Sequence, residues 1–353
     1  MEVDFGAGPR RLPRSIEVLN LTAAGGLVPA AGRIDWTQLS ALPALRTVEW
    51  SGPDRGLVDA LATRSDIGFL EWHDAVGEVD LRSTGLDTVR LYGSAFDSLR
   101  LPASIRTLLL RRPSASLRVE AADLGEWLDL RLFPYGGALS VPTGLTRVPT
   151  LWLWVGAEVS ARALSGLTNL RDLRLTFESP PGVVSDLADL GRHQRLHHLR
   201  MDDAYGLDPA ALPELSSLRG LSTHGTRHTI AQALEARFEG EPVELSITGA
   251  KSEAWLADYL DNPFRDWVEE SEPFARAACE AYLEAVRSIE SVAPDAERVL
   301  RDFVARLNAI DEEHELIDTF YREQAGDAFD ALAQRLGVPG PVAGDWFDET
   351  REF

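Results

Sequence analysis

From near the N-terminus to about residue 248 the chain repeats one short pattern, apolar-x-apolar, set behind an earlier apolar position. Its clearest copy is Leu164, Leu167, Leu170, Leu173 and Leu175. The first apolar residue of each pair falls at Leu19, Val48, Leu70, Val89, Leu108, Leu128, Leu151, Leu173, Leu199, Leu221 and Leu245. After the first long step the intervals are roughly 19 to 26 residues. Two-residue alternation is the signature of a strand with one buried face, so each copy predicts one short strand. Extra matches lie between some of these, at Val79-Asp80-Leu81, Leu99-Arg100-Leu101 and Leu117-Arg118-Val119. A coil of about 20 residues holding two strands has no room for a helix as well. The middle coils are therefore expected to be strand on both sides. The longer end coils have that room, and Ile34 to Leu42, Leu57 to Ala62, Val183 to Leu190 and Thr229 to Phe238 carry helical apolar spacing.

From Lys251 onward the period becomes helical. Trp255, Leu256, Tyr259 and Leu260 form one apolar face, and Phe274, Ala278, Tyr282, Leu283, Val286 and Ile289 form another behind Pro273, a residue suited to a helix start. Leu300, Phe303, Val304, Leu307 and Ile310 make a third, and Phe329, Leu332, Ala333 and Leu336 end at Gly337 before Pro339. The pattern predicts two domains, 1–250 and 251–353, the second all helical.

The first part resembles the leucine-rich-repeat family over about 230 residues, most closely at 145 to 153, 164 to 175 and 212 to 221. The resemblance implies an α/β fold: a curved solenoid with a parallel sheet on its concave face, followed by an α-helical C-terminal domain. The family pattern places an asparagine shortly after each strand; here those positions hold Pro53, Ala75, Ser94, Pro113, Gly156, Glu178, Ala204 and Thr226. Further on, Asn262 to Trp267, Leu316 to Thr319 and Asp345 to Asp348 are similar to the C-terminal region of some actinobacterial leucine-rich-repeat proteins labelled gliding motility proteins, a label that implies no mechanism.

Composition narrows the partners. A formal charge of −21 argues against general binding to nucleic acid or anionic membrane, which needs clustered Lys and Arg. About −15 of it falls after residue 250, where it is expected on solvated helix faces. Cys279 is the only cysteine, which excludes an internal disulfide and fits a reducing cytoplasm. The N-terminal residues lack a signal-peptide pattern, and no stretch has the apolar length of a membrane span. Lys251 is the only lysine among many arginines, as codon bias in a GC-rich bacterium would produce.

If the leucines point inward, the residues between them line the other face of the sheet. The row inside each apolar pair then reads Glu49, Glu71, Arg90, Leu109, Asp129, Trp152, Arg174, Arg200, Ser222 and Ser246. The row just after reads Ser51, His73, Tyr92, Arg111, Arg131, Trp154, Thr176, Asp202, His224 and Thr248. With neighbouring strands about 4.8 Å apart these rows are continuous. Arginine and tryptophan are enriched at binding hot spots, and here they gather in one stretch of an acidic chain. The candidate binding residues are Arg90, Tyr92, Arg111, Arg131, Trp152, Trp154, Arg174, His198, Arg200 and His224, for a protein or peptide with an acidic or mixed-charge segment. The competing expectation is that Glu71, Asp129 and Asp202 neutralise these arginines and the tryptophans cover a poorly packed edge.

Candidate chemistry is sparse. His193, His197, His198, His224 and His228 cluster without a fixed ligand spacing, so no metal site is expected. Asp311-Glu312-Glu313-His314 supplies half of a dimetal carboxylate pattern and lacks the other half. Some bacterial effectors couple leucine-rich repeats to a helical ubiquitin-ligase domain with a catalytic Cys-x-Asp; here Cys279-Glu280-Ala281 lacks the acid. Gly136-Gly137 and Gly25-Gly26 lack the context of a phosphate loop and read as turns. The expected function is a non-enzymatic, cofactor-free interaction scaffold. The alternative is a substrate-recruiting repeat domain joined to an enzymatic or effector helical domain.

Overall fold

The computed structural model describes residues 1–22, 25–134, 139–290 and 294–353. Gly136-Gly137 lies outside the described residues. The chain divides into two compact units, Met1–Thr226 with Ile230–Thr248, and Arg227–Thr229 with Gly249–Phe353.

In the first unit an antiparallel pair, β1 (Glu2–Val3) and β2 (Arg10–Arg11), precedes an eleven-stranded sheet. Its strands are β3 (Val18–Asn20), β4 (Thr47–Ser51), β5 (Phe69–His73), β7 (Thr88–Tyr92), β9 (Thr107–Arg111), β11 (Asp129–Phe133), β12 (Thr150–Val155), β14 (Asp172–Phe177), β16 (His198–Asp202), β17 (Gly220–Arg227) and β18 (Glu244–Lys251). They lie in that order, and from β3 to β17 each pairs in parallel with the next. The register puts the apolar positions opposite one another, as in Val48, Leu70, Val89 and Leu108. All four are fully buried. Each such side chain contributes about 1.5–3 kcal/mol on burial, and a one-residue slip would turn the whole row to solvent.

Between these strands the chain forms a second parallel sheet of β6 (Gly77–Asp80), β8 (Phe96–Arg100) and β10 (Arg118–Glu120), and a parallel pair of β13 (Glu158–Ser160) and β15 (Val183–Ser185). Val79, Leu99 and Val119 from this second sheet share one core with the main-sheet leucines. The middle stretch thus alternates between strands of the main sheet and strands of the second sheet. Helical spacing is satisfied by α1 (Leu57–Ala62) and α2 (His228–Phe238), while the stretch beginning at Ile34 holds only a 3-10 turn, Trp36–Ala41. The helix expected over Val183 to Leu190 is not there. Val183 and Val184, β-branched, enter β15; Asp186 takes φ 52°, and a 3-10 turn, Leu187–Arg192, follows.

The strand ends share a backbone device. One residue past the strand ends, Gly52, Asp74, Gly93, Arg112 and Asp203 take positive φ. Their N–H groups donate to the next strand at His73, Tyr92, Arg111, Phe133 and His224. Each of these turns thereby satisfies a backbone N–H and a carbonyl of the next strand.

The second unit contains α3 (Glu253–Tyr259), α4 (Glu272–Ile289), α5 (Ala296–His314), α6 (Thr319–Arg335) and α7 (Gly340–Thr350). Phe264, Trp267, Phe274, Phe303 and Phe329 are fully buried in its core. The segments singled out by sequence have structural duties: Asn262 donates to the Cys279 carbonyl at 3.0 Å and Asp318 caps α6 through the N–H groups of Phe320 and Tyr321. In the last helix, α7, Phe347 packs on Phe329 with ring centroids 4.9 Å apart. No described helix is long and apolar enough to cross a membrane.

Candidate binding face

The outward rows of the main sheet are set by its register, which corrects the map in one strand. Arg131 stands opposite Leu109 and Trp152, and Phe133 stands opposite Arg111. Asp129 falls back to the row of Thr107 and Thr150. The residue in register with Leu108 and Leu151 is therefore Leu130, not Leu128. The run Leu128-Asp129-Leu130-Arg131-Leu132 offers two starting points two residues apart, and both put leucines inward. The same two-residue slip occurs in the second sheet, where Val119 and not Leu117 pairs with Leu99.

With that correction, one row runs Glu71, Arg90, Leu109, Arg131, Trp152, Arg174, Arg200 and Ser222 across successive strands. The Trp152 indole has the Arg174 guanidinium 4.0 Å from its ring centre and that of Arg131 at 5.1 Å. The next row runs Tyr92, Arg111, Phe133, Trp154, Thr176, Asp202 and His224 where the register is continuous. Trp154 is stacked on Trp152 at 3.9 Å and on Phe133 at 4.0 Å. Arg111 lies 5.9 Å from the rings of both Tyr92 and Phe133. Seven candidates, Tyr92, Arg111, Arg131, Trp152, Trp154, Arg174 and Arg200, therefore form one surface, and Phe133 belongs to it as well. Cation-π contacts of this kind contribute about 0.5–1 kcal/mol each where exposed.

The ion pairs of the competing expectation are also present. Arg90 is 3.4 Å from Glu71 and lies over Phe69, and Arg131 is 2.8 Å from Asp129. Asp202, almost fully buried, accepts from Nε of both Arg174 and Arg200 at 2.8 Å, and from the Thr176 hydroxyl at 3.3 Å. The face is thus mixed in charge and not an open cationic patch. Tyr92 stacks on His73 at 4.2 Å; burial, aided by the Glu71 carboxylate, raises its phenol pKa.

The histidines do not converge. His198 bonds Asp172 through Nδ1 at 2.6 Å, whereas His224, four positions past the residue opposite His198, bonds the Thr248 hydroxyl at 3.1 Å. His193 is buried in a turn with Nδ1 on the Leu167 carbonyl. Among the described residues no group of three or more His, Cys, Asp or Glu is placed to hold a metal ion. Cys279 is buried in α4, and desolvation, with Asp266 and Glu280 nearby, pushes its thiol up to about 12.

Beside Trp152 the outward side chains shrink from Arg174 and Arg200 to Ser222 and Ser246, leaving a hollow of about 410 Å³ that also reaches His198 and Glu244. No protein-family model matches this chain, and no curated protein matches it significantly.

Proposed function

We propose that the first unit is a leucine-rich-repeat-type solenoid and that the protein is a non-enzymatic scaffold, holding a protein or peptide against the outward face of the main sheet. The observation that carries this reading is the Arg131, Trp152, Arg174 stack, continued by Trp154 and Phe133, in a chain that is otherwise strongly acidic. Its aromatic rings remain half-buried instead of entering the core. Rigid aromatics and arginines supply contact area at low entropic cost, because they are already ordered before the partner arrives. The ion pairs across the face favour a partner of mixed charge over a uniformly acidic one. A single buried cysteine suits work in a reducing compartment such as the cytoplasm.

The test is affinity capture from native cell extract with the wild type and with a Trp152→Ala/Arg174→Ala variant of unchanged circular dichroism. Specific loss of one captured protein from the variant is the expected result. Identical captured sets would overturn the assignment of this face.

A further inference from the structure

The hollow beside Trp152 defines what the partner must bring. This inference rests on the reading of the sheet face as a binding surface and specifies its ligand. Three features shape the hollow. Its floor is kept low by Gly220, Ser222 and Ser246, and a Cβ at Gly220 would come within 3.1 Å of the His198 ring. One wall carries Arg200, half exposed; its Nε is committed to Asp202, and its two terminal nitrogens have no hydrogen-bond partner among the described residues. The opposite border carries the Glu244 carboxylate on β18, exposed and without an ion-pair partner among the described residues.

The charges around the hollow are mixed, with Asp129, Asp172 and Glu244 and the guanidiniums of Arg174 and Arg200 among its lining. Arg174 and Arg200 face Asp202; beyond them stand Asp172, bonded to His198, and the free Glu244. An occupant with one net sign therefore meets a like charge at one border or the other. An occupant with both signs matches both. Arg200 lies on β16 and Glu244 on β18, two strand spacings or about 9.6 Å apart across the sheet; Glu244 stands level with Gly220, two residues or about 6.8 Å back from the row of Arg200, so the diagonal is about 12 Å. An extended peptide laid across the strands places side chains i and i+2 on one face about 6.8 Å apart, and the length of the side chains closes the remainder. We propose that the hollow binds an extended peptide segment bearing an acidic and a basic residue two positions apart. The acid meets the terminal nitrogens of Arg200 in a forked contact, the base meets Glu244, and the backbone between them passes over Ser222 on the intervening strand.

The probes are fluorescent heptapeptides with central Asp-x-Arg, Arg-x-Asp, Asp-x-Asp or Arg-x-Arg, together with equimolar free aspartate and arginine as competitor, measured by anisotropy at low salt. One of the two mixed peptides is expected to bind at least tenfold more tightly than either like-charge peptide, and the free amino acids should not displace it. In Glu244→Lys the preference should move by at least tenfold toward Asp-x-Asp, and Arg200→Gln should weaken the mixed peptide by a similar factor. Equal affinity for all four peptides, no binding of any, displacement by the free amino acids, or indifference to both substitutions would overturn the proposal. Capture that depends on Trp152 and Arg174 while Glu244→Lys and Arg200→Gln leave it unchanged would preserve the sheet-face reading and remove only this ligand.

Discussion

Arg174 and Asp202 are joined by charge-assisted contacts at 2.8 Å, and this pair sets the geometry of the whole face. The same guanidinium lies 4.0 Å over Trp152, so a nearly buried carboxylate fixes a cation that in turn holds an indole. Asp202 also carries Arg200. Asp202→Ala should therefore destabilise the first unit by about 1–3 kcal/mol, below the usual 3–5 for breaking a buried pair because both arginines remain partly solvated. Arg174→Ala should cost less, since Asp202 keeps Arg200. Urea denaturation of the two variants measures the order; equal midpoints would remove Asp202 from its central place.

The tryptophans separate into two kinds, and stability should separate them too. Trp50 is fully buried, donates Nε1 to the Pro53 carbonyl and meets Trp36 edge-on at 5.6 Å. Trp50→Ala should cost about 3–5 kcal/mol, with Trp50→Phe as a milder, folded control. Trp152→Ala should cost under about 1.5 kcal/mol while removing partner capture. A large loss of thermal stability in Trp152→Ala would assign the indole to the scaffold.

Strand positions were legible because leucine alternation is a strong signal wherever one face is buried. Register was legible only where one starting point exists. At Leu128 to Leu132 alternation runs for five residues, so Phe133 was missed as the partner of Trp154 and Asp129 was placed one row too far. Corner residues such as Asp74, Arg112 and Asp203 were illegible for another reason. Their positive φ goes with the backbone bond to the next strand, which no side-chain pattern marks: Asp is only moderately enriched there and Arg is not. The hollow near Ser222 was invisible as well, because small residues announce nothing until their large neighbours are placed.

His193 gives the first unit a pH dependence of known sign. Burial pushes its imidazole pKa below the usual value, with the Nδ1 bond to Leu167 only partly opposing this, and Nε2 has no hydrogen-bond partner among the described residues. As pH falls through about 6.5, the unfolded chain takes up a proton that the folded one resists, so the histidine's contribution is present above that pH and lost below it. Melting temperatures of wild type and His193→Gln at pH 7.5 and 5.5 should differ in slope, the variant falling less. Parallel curves would contradict the assignment.

Cys279 should behave in the opposite direction on the pH scale. With its thiol pushed up to about 12, the folded unit resists forming the thiolate. Its contribution to stability is complete below about pH 8.5 and is lost as pH rises toward 12. A disulfide reagent at pH 8 should leave the native thiol unmodified and titrate it fully in urea. Rapid reaction of the native protein would mean that α4 opens readily.

Lys251 is the chain's one lysine and also a buried cation, 3% exposed, with Nζ 2.8 Å from Asp266, 3.0 Å from Glu269 and 3.0 Å from the Gly249 carbonyl. Among so many arginines, the lysine at this position has a structural reason. An ammonium is compact and can direct its donors at several oxygens at once, as the Asp266, Glu269 and Gly249 oxygens around it require. A guanidinium carries the same charge in a larger, planar form that this enclosed space does not match. Lys251→Arg should therefore destabilise the helical unit by about 1–3 kcal/mol, the usual range for overpacking, although it conserves charge. Lys251→Met should cost a similar amount by leaving Asp266 and Glu269 without their shared cation, discounted because both carboxylates are partly solvated. An amine acylating reagent followed by mass spectrometry adds an independent readout. Lys251 should be modified in urea and protected in the native chain. Acylation at equal rates in both states, or an arginine variant as stable as wild type, would show that the ammonium is not enclosed as described.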